Sequence, residues 1–228
     1  GTDPYAPEVY AKARENLELM IAEGILLRDP DARYYVYRLA MGEHVQTGLV
    51  AAASVAAYDA DRIKKHEFTR PVKEDDRVRQ IDALNAQTGP AFLVYRNTAA
   101  IDDTLAAVAT GAPEVDITAV DGVRHEVWSV SDAATIESLT NAFEALDALY
   151  VADGHHRSAA ASRVAAARRA ANPGHTGEEP YNYFLSVIFP HHQMRILDYN
   201  RVIKDLTGLA EADFMAKVAE NFIIELSN

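Results

Sequence analysis

The run Leu149-Tyr150-Val151-Ala152-Asp153-Gly154-His155-His156-Arg157, continued by Ser158-Ala159-Ala160-Ala161, constrains the fold more than any other stretch. It reads as a buried strand, a one-glycine corner and the first turn of an alanine-rich helix. A strand that turns directly into a helix calls for a sheet with helices layered against it. The corner also gathers two histidines, an arginine and unpaired backbone N–H groups at one helix N-terminus. Such an end carries about half a positive charge and accommodates anions, phosphate in particular.

The rest of the chain alternates in the same way. Thr2-Asp3-Pro4 is a helix start signal, and Val9, Ala13, Leu17, Met20 and Ile21 follow at helical spacing until Gly24. Strands are expected at Arg33 to Leu39 and around Thr47 to Val50, with a turn or short helix after the second. Glu74 to Gln87 reads as a helix with Val78, Ile81 and Leu84 inward, Ala91 to Arg96 as a strand, and Ile101 to Ala109 as a helix. Val115 to Ile117 and Val123 to Val130 flank Asp121-Gly122, a strong hairpin signal. Ser131 or Asp132 caps a helix reaching Leu146. The alanine-rich helix runs to about Ala171, and Asn172 to Pro180 reads as a mobile loop. Tyr183 to Phe189 and Arg195 to Leu197 read as strands joined by His191-His192, and Ala212 to Asn221 as a helix.

The expected class is therefore α/β, with α+β open: a mixed sheet with flanking helices. It forms a single domain over 1–228, with a subdivision near 129–131 as the alternative. The strand-like run Asn221 to Leu226 at the end and Gly1 at the start suggest a fragment of a longer chain.

Composition limits the chemistry. Lys and Arg total 22 against 34 Asp and Glu, a net charge of −12, which disfavours general nucleic-acid binding. The sequence holds no cysteine, so disulfides, thiol catalysis and cysteine-ligated zinc are excluded. It shows no apolar run of membrane-spanning length and no leader-like segment, so a cytoplasmic location is expected.

Three constellations carry chemistry. In the first, Gly154 permits close approach of a ligand, Arg157 offers a fork for phosphate oxygens, His155 and His156 can move protons near neutrality, and Asp153 suits a base or a metal ligand; capping by Asp153 and solvation of Arg157 are the bland readings. Ser158 adds a hydroxyl to the same turn. In the second, Lys64-Lys65-His66-Glu67-Phe68-Thr69-Arg70 offers Glu67 or His66 as a general base and Lys65 and Arg70 as anion ligands, against a solvated charged loop. Glu74, Asp75, Asp76 and Arg77 read as the acidic opening of the next helix. In the third, Tyr199-Asn200-Arg201 is a polar triple between apolar pairs, while His191-His192 reads as a turn. The Gly-x-x-x-x-Gly-Lys loop, the Gly-x-Gly-x-x-Gly turn and the His-Glu-x-x-His helix are absent from the sequence.

Ala152 to Arg157, Lys65 to Arg70 and Tyr199-Asn200-Arg201 together resemble the bacterial and archaeal family called domain of unknown function 1015, along the whole chain. More distantly, the glycine-to-arginine corner is similar to the ParB and sulfiredoxin superfamily, where the corresponding corner binds nucleotide phosphates. Sulfiredoxin's cysteine is replaced here by His155. Free serine kinases of that superfamily have an Asp-Gly-His-x-Arg corner, which Asp153 to Arg157 matches. The resemblance implies a ParB/sulfiredoxin-like corner that takes ATP or ADP with Mg²⁺ and a small hydroxyl substrate. Gly154, Arg157, Ser158, Lys65, Arg70, Asn200 and Arg201 would then bind the nucleotide. Asp153, His155, His156, His66 and Glu67 would do the chemistry, with Asp153 as metal ligand. A non-catalytic nucleotide-binding regulatory module and a metal-dependent hydrolase stand as alternatives.

Overall fold

In a computed structural model, residues 3–198, 200 and 202–225 are described. They form two compact units, Gly1–Met194 and Arg195–Asn228.

The first unit is built on one eight-stranded mixed sheet. Its strands are β1 (Tyr34–Met41), β2 (His44–Ser54), β3 (Ile63–Lys64), β4 (Ala91–Tyr95), β5 (Val115–Thr118), β6 (Arg124–Val130), β7 (Leu149–Asp153) and β8 (Tyr183–Pro190). They lie in the order β3-β7-β4-β8-β2-β1-β6-β5. The β3–β7 and β4–β8 pairs are parallel and the others antiparallel. The helices of this unit are α1 (Pro7–Ala22), α2 (Val55–Asp59), α3 (Pro71–Leu84), α4 (Ala99–Val108), α5 (Ala133–Glu144) and α6 (His155–Ala171). The mixed sheet with flanking helices agrees with the expectation from sequence.

Alternation along the central strands fixes which face is dry. On β4, Ala91, Leu93 and Tyr95 are fully buried while Phe92 and Val94 are half-buried, the period of two that a pleated strand imposes. Tyr95 donates its hydroxyl to Asp102 of α4 (2.7 Å) and packs edge-on against Phe143 of α5. Trp128 of β6 donates its indole N–H to the Gly111 carbonyl just past α4 (2.8 Å). These buried polar ends are satisfied, as a dry environment requires.

The remaining helices stack on one another. α6 packs against α3, α2, β4 and β8, and α3 also packs against α1. Arg163 of α6 reaches Glu74 (2.9 Å) and Asp75 (2.8 Å) of α3, and Tyr10 of α1 donates to Asp76 (2.7 Å). Glu74, Asp75 and Asp76 thus tie α3 to its neighbours, as the structural reading of this helix start expected. Thr69, ahead of the Arg163 guanidinium, holds the Glu74 carboxyl below its ordinary value by hydrogen bonding.

Several boundaries differ from the sequence expectations. α1 begins at Pro7 and α3 at Pro71, because proline suits the first helical position, where no N–H is needed. α3 stops at Leu84 because Asn85 turns left-handed (φ 49°). The strand expected around Thr47 to Val50 is eleven residues long, since β1 and β8 pair with it on both sides. The loop after α6 is cross-linked. Glu179 accepts from the Thr176 and Gly177 N–H groups, and Asn182 donates to the Gly177 carbonyl. Those backbone hydrogen bonds pull the Glu179 pKa down to about 2.

β8 ends at Pro190, and His191–Gln193 forms one 3-10 turn, in line with the turn expected there. The strand expected at Arg195 to Leu197 is not formed; those residues, in the second unit, have no regular structure. Nor do residues 223–225 form a strand. The second unit has one helix among its described residues, α7 (Glu211–Ala219). Among the described residues no helix is long and apolar enough to cross a membrane.

Candidate functional site

Local irregularity aims the corner. The β4–β7 register shifts between Leu93, opposite Val151, and Phe92, opposite Asp153, so Ala152 is an extra residue on β7. Such a bulge bends a strand and re-aims the chain beyond it. Gly154 then takes φ +93°, where side chains are strained. An added Cβ would sit 3.1 Å from the Ala91 Cα and 3.2 Å from an Arg157 guanidinium nitrogen. Glycine is needed here on both counts.

Gly154 is also the N-cap of α6, and no side chain caps that end. The Arg157 and Ser158 N–H groups both bond the Gly154 carbonyl at 2.9 Å. The first-turn N–H groups of His155 and His156 precede any intrahelical acceptor, and no side chain caps them.

Parallel pairing of β3 with β7 brings the second constellation onto the first. The Arg70 N–H donates to His156 Nε2 (3.1 Å), so neutral His156 carries its proton on Nδ1. His66 stands edge-on to His155, ring centroids 4.5 Å apart. Glu67 Oε2 lies 3.6 Å from His155 Nδ1. Segments almost ninety positions apart in the chain therefore form one cluster.

His155 is its centre. The residue is 4% exposed, and its Nε2 is buried without a hydrogen-bond partner. Burial, reinforced by the nearby His66, pushes its pKa below the ordinary histidine value, with Glu67 and Asp153 opposing. Burial thus favours the neutral ring.

A cleft of about 460 Å³ opens over this cluster, within the range of small-ligand sites. Glu67, Asp153, Gly154, His155, His156 and Arg157 all line it. Arg157 donates to the Pro90 carbonyl and lies 3.4 Å from Asp153. Both partners are at the surface, and Gly154 remains partly exposed.

Other expected site residues sit elsewhere. Ser158 is fully buried, and its hydroxyl donates back to the Gly154 and His155 carbonyls (both 3.2 Å). Position 158 lies on the buried face of α6, one residue past the segment that lines the cleft. Lys65 donates to the Tyr58 carbonyl (3.0 Å) and lies over the Tyr58 ring, so its ammonium is engaged away from the cleft. Arg70 contributes its backbone to the cluster. Asn200 belongs to the second unit, and Tyr199 and Arg201 fall outside the described residues.

The cleft also holds Lys73 of α3 and Tyr5 ahead of α1, which the sequence pattern did not single out, and Asp76 and Arg77, which it read only as the structural opening of that helix. The available signal was the Lys73 and Arg77 spacing, one helical turn on one face. With Arg157 they make three cations beside the carboxylates of Glu67, Asp76 and Asp153.

A family model described as "Protein of unknown function (DUF1015)" matches residues 1–228. The chain belongs to the DUF1015 family. No curated protein and no solved structure matches this DUF1015 member.

Among the described residues of this DUF1015 chain, no group of three or more His, Asp or Glu side chains is arranged to hold a metal. Asp153, an exposed carboxylate at the cleft beside Arg157, fits the sparse protein ligation of Mg²⁺ that is shared with substrate phosphates.

Proposed function

We propose that the cleft at the start of α6 binds the phosphates of a nucleotide and transfers a phosphoryl group to a hydroxyl of a small molecule. The observation that carries this reading is His155: a buried imidazole whose Nε2 has no partner, placed at an uncapped helix N-terminus beside Arg157 and Glu67. Leaving a buried polar nitrogen unmet costs about 1–3 kcal/mol, and a ligand oxygen would remove that cost. The similarity of Asp153 to Arg157 to the corner of ParB/sulfiredoxin-type phosphate sites and free serine kinases supports the same reading.

The residues divide the work. The His155 and His156 N–H groups, with Arg157, Lys73 and Arg77, hold phosphate oxygens and balance the charge that spreads over them. Glu67 accepts the proton of the acceptor hydroxyl as its oxygen bonds to phosphorus, while the bond from phosphorus to the leaving phosphate oxygen breaks and its electrons go to that oxygen. His155 Nε2 hydrogen-bonds an oxygen of the transferred group. Asp153 would hold Mg²⁺, which supplies charge neutralisation when bound. Phosphoryl transfer rests mainly on such positioning and electrostatics.

Calorimetric titration with ATP and ADP tests the binding step. Arg157→Ala is expected to weaken nucleotide affinity by about tenfold or more, the loss of a charge-assisted contact. Unchanged affinity in a folded variant would refute the assignment. Nucleotide consumption with Mg²⁺ and a pool of hydroxyl compounds tests turnover, which Glu67→Gln should lower by about a hundredfold or more while binding persists. Binding without consumption would instead assign a regulatory module.

A further inference from the structure

A second cleft of about 250 Å³, lined by Arg77, Gln80, Ile81, Ala86, Gln87, Thr88, Gly89 and Arg157, adjoins the first. Arg77 and Arg157 line both. We propose that this second cleft is the nucleoside subsite: phosphates lie on Arg77 and Arg157, and the base and ribose extend past them toward Gln80, Thr88 and Gly89. The proposal rests on the function proposed above and names where its donor lies.

Three observations carry it. The first is the shared wall. Glu67 and His155 line only the larger cleft, so the acceptor hydroxyl belongs there. The rest of a donor held by its phosphates must leave by another route, and the cleft beyond the two arginines offers one.

The second is the lining chemistry. Gln80 accepts from Arg77 (2.7 Å) and donates to the Thr88 hydroxyl (3.3 Å). Neither bond exhausts the donors and acceptors of an amide and a hydroxyl, which suits a base edge or a ribose hydroxyl. Ile81 and Ala86 supply apolar surface for a ring face. Gln87 is engaged elsewhere. It donates to the Tyr183 carbonyl and accepts from the Leu185 N–H, fixing this wall to β8.

The third is Gly89. Its φ is not left-handed, and an added Cβ would meet only the Arg157 Cδ and Nε, both at 3.6 Å, which is ordinary contact. Neither the backbone nor crowding demands glycine there, in contrast to Gly154. The missing side chain leaves a hollow against the Arg157 stem, at the boundary of the two clefts.

The test is calorimetric titration of the intact chain with ADP, GDP, CDP, UDP and inorganic pyrophosphate. One nucleoside diphosphate is expected to bind about tenfold or more tighter than pyrophosphate, the worth of one or two good contacts. Gly89→Val, at a backbone position that is not left-handed, should abolish that margin while pyrophosphate still binds. Gly89→Ala and Thr88→Val should each remove part of it, and thermal unfolding establishes that each variant is folded. A Gly89→Val protein that binds the nucleotide like wild type would overturn the subsite. Wild-type protein that binds pyrophosphate as tightly as every nucleotide would overturn the subsite and leave the phosphate site standing. Failure to bind pyrophosphate and all four nucleotides would overturn both proposals.

Discussion

Gly154→Ala is the sharpest test of the corner. Two costs add. Holding alanine near φ +93°, ψ 26° costs about 1–2 kcal/mol, because its Cβ crowds the following carbonyl. The new Cβ would also lie 3.1 Å from the Cα of Ala91, a fully buried residue of β4. Backbone cannot swing aside like a flexible side chain, so overpacking adds about 1–3 kcal/mol. The expected loss is about 2–5 kcal/mol, and each kcal/mol lowers Tm by about 2–4 °C in a chain of this size. Gly122→Ala is the control: φ is +83°, with no atom within 4 Å of the added Cβ, so only the conformational cost of about 1–2 kcal/mol applies. Urea unfolding of both variants separates the terms. If the two losses agree within about 0.5 kcal/mol, the scatter of ordinary surface substitutions, the close approach to Ala91 is not a constraint and the argument for the corner fails. Nucleotide affinity should fall with Gly154→Ala, because the added Cβ also meets the guanidinium of Arg157 (3.2 Å).

Stability should also report the buried His155. Its folded pKa lies below the ordinary value through burial, so below about pH 6.5 the unfolded chain takes up a proton that the folded chain refuses, and stability falls on acidification. The urea midpoint of wild type measured from pH 8 to pH 5 should drop more than that of His155→Gln, and parallel curves would refute the neutral buried ring. Ser158→Ala should leave nucleotide affinity unchanged and cost about 1 kcal/mol, the typical worth of a hydrogen bond. A tenfold loss of affinity on titration would put that hydroxyl back in the site.

Much of the fold was legible because local rules agreed with tertiary context. The Asp121-Gly122 turn joins β5 to β6 as expected, Asp132 caps α5 by accepting from the Thr135 N–H, and β7, Gly154 and α6 succeed one another as the opening motif indicated. The strand expected at Arg195 to Leu197 failed for the complementary reason. Three residues, two of them adjacent and apolar, do not make a strand without a neighbour to pair with, and pairing is a non-local property.

The candidate site divides along the same line. Residue order alone placed His155, His156, Arg157 and Asp153 around one helix start, because a strand, a left-handed glycine and a helix admit few arrangements. Order could not say that Glu67 would stand beside His155, since that depends on β3 pairing in parallel with β7. Nor could it say that Lys65 would lie over Tyr58 while Lys73 and Arg77 face the cleft. The first depends on how α2 sits beside the end of β3, and the second on how α3 is rotated against α6, which the packing of its half-buried face and the Arg163 ion pairs decide. The glycine corner is encoded in nine consecutive residues, whereas the placing of Glu67 beside it and the second cleft exist only because the sheet and helices fold together.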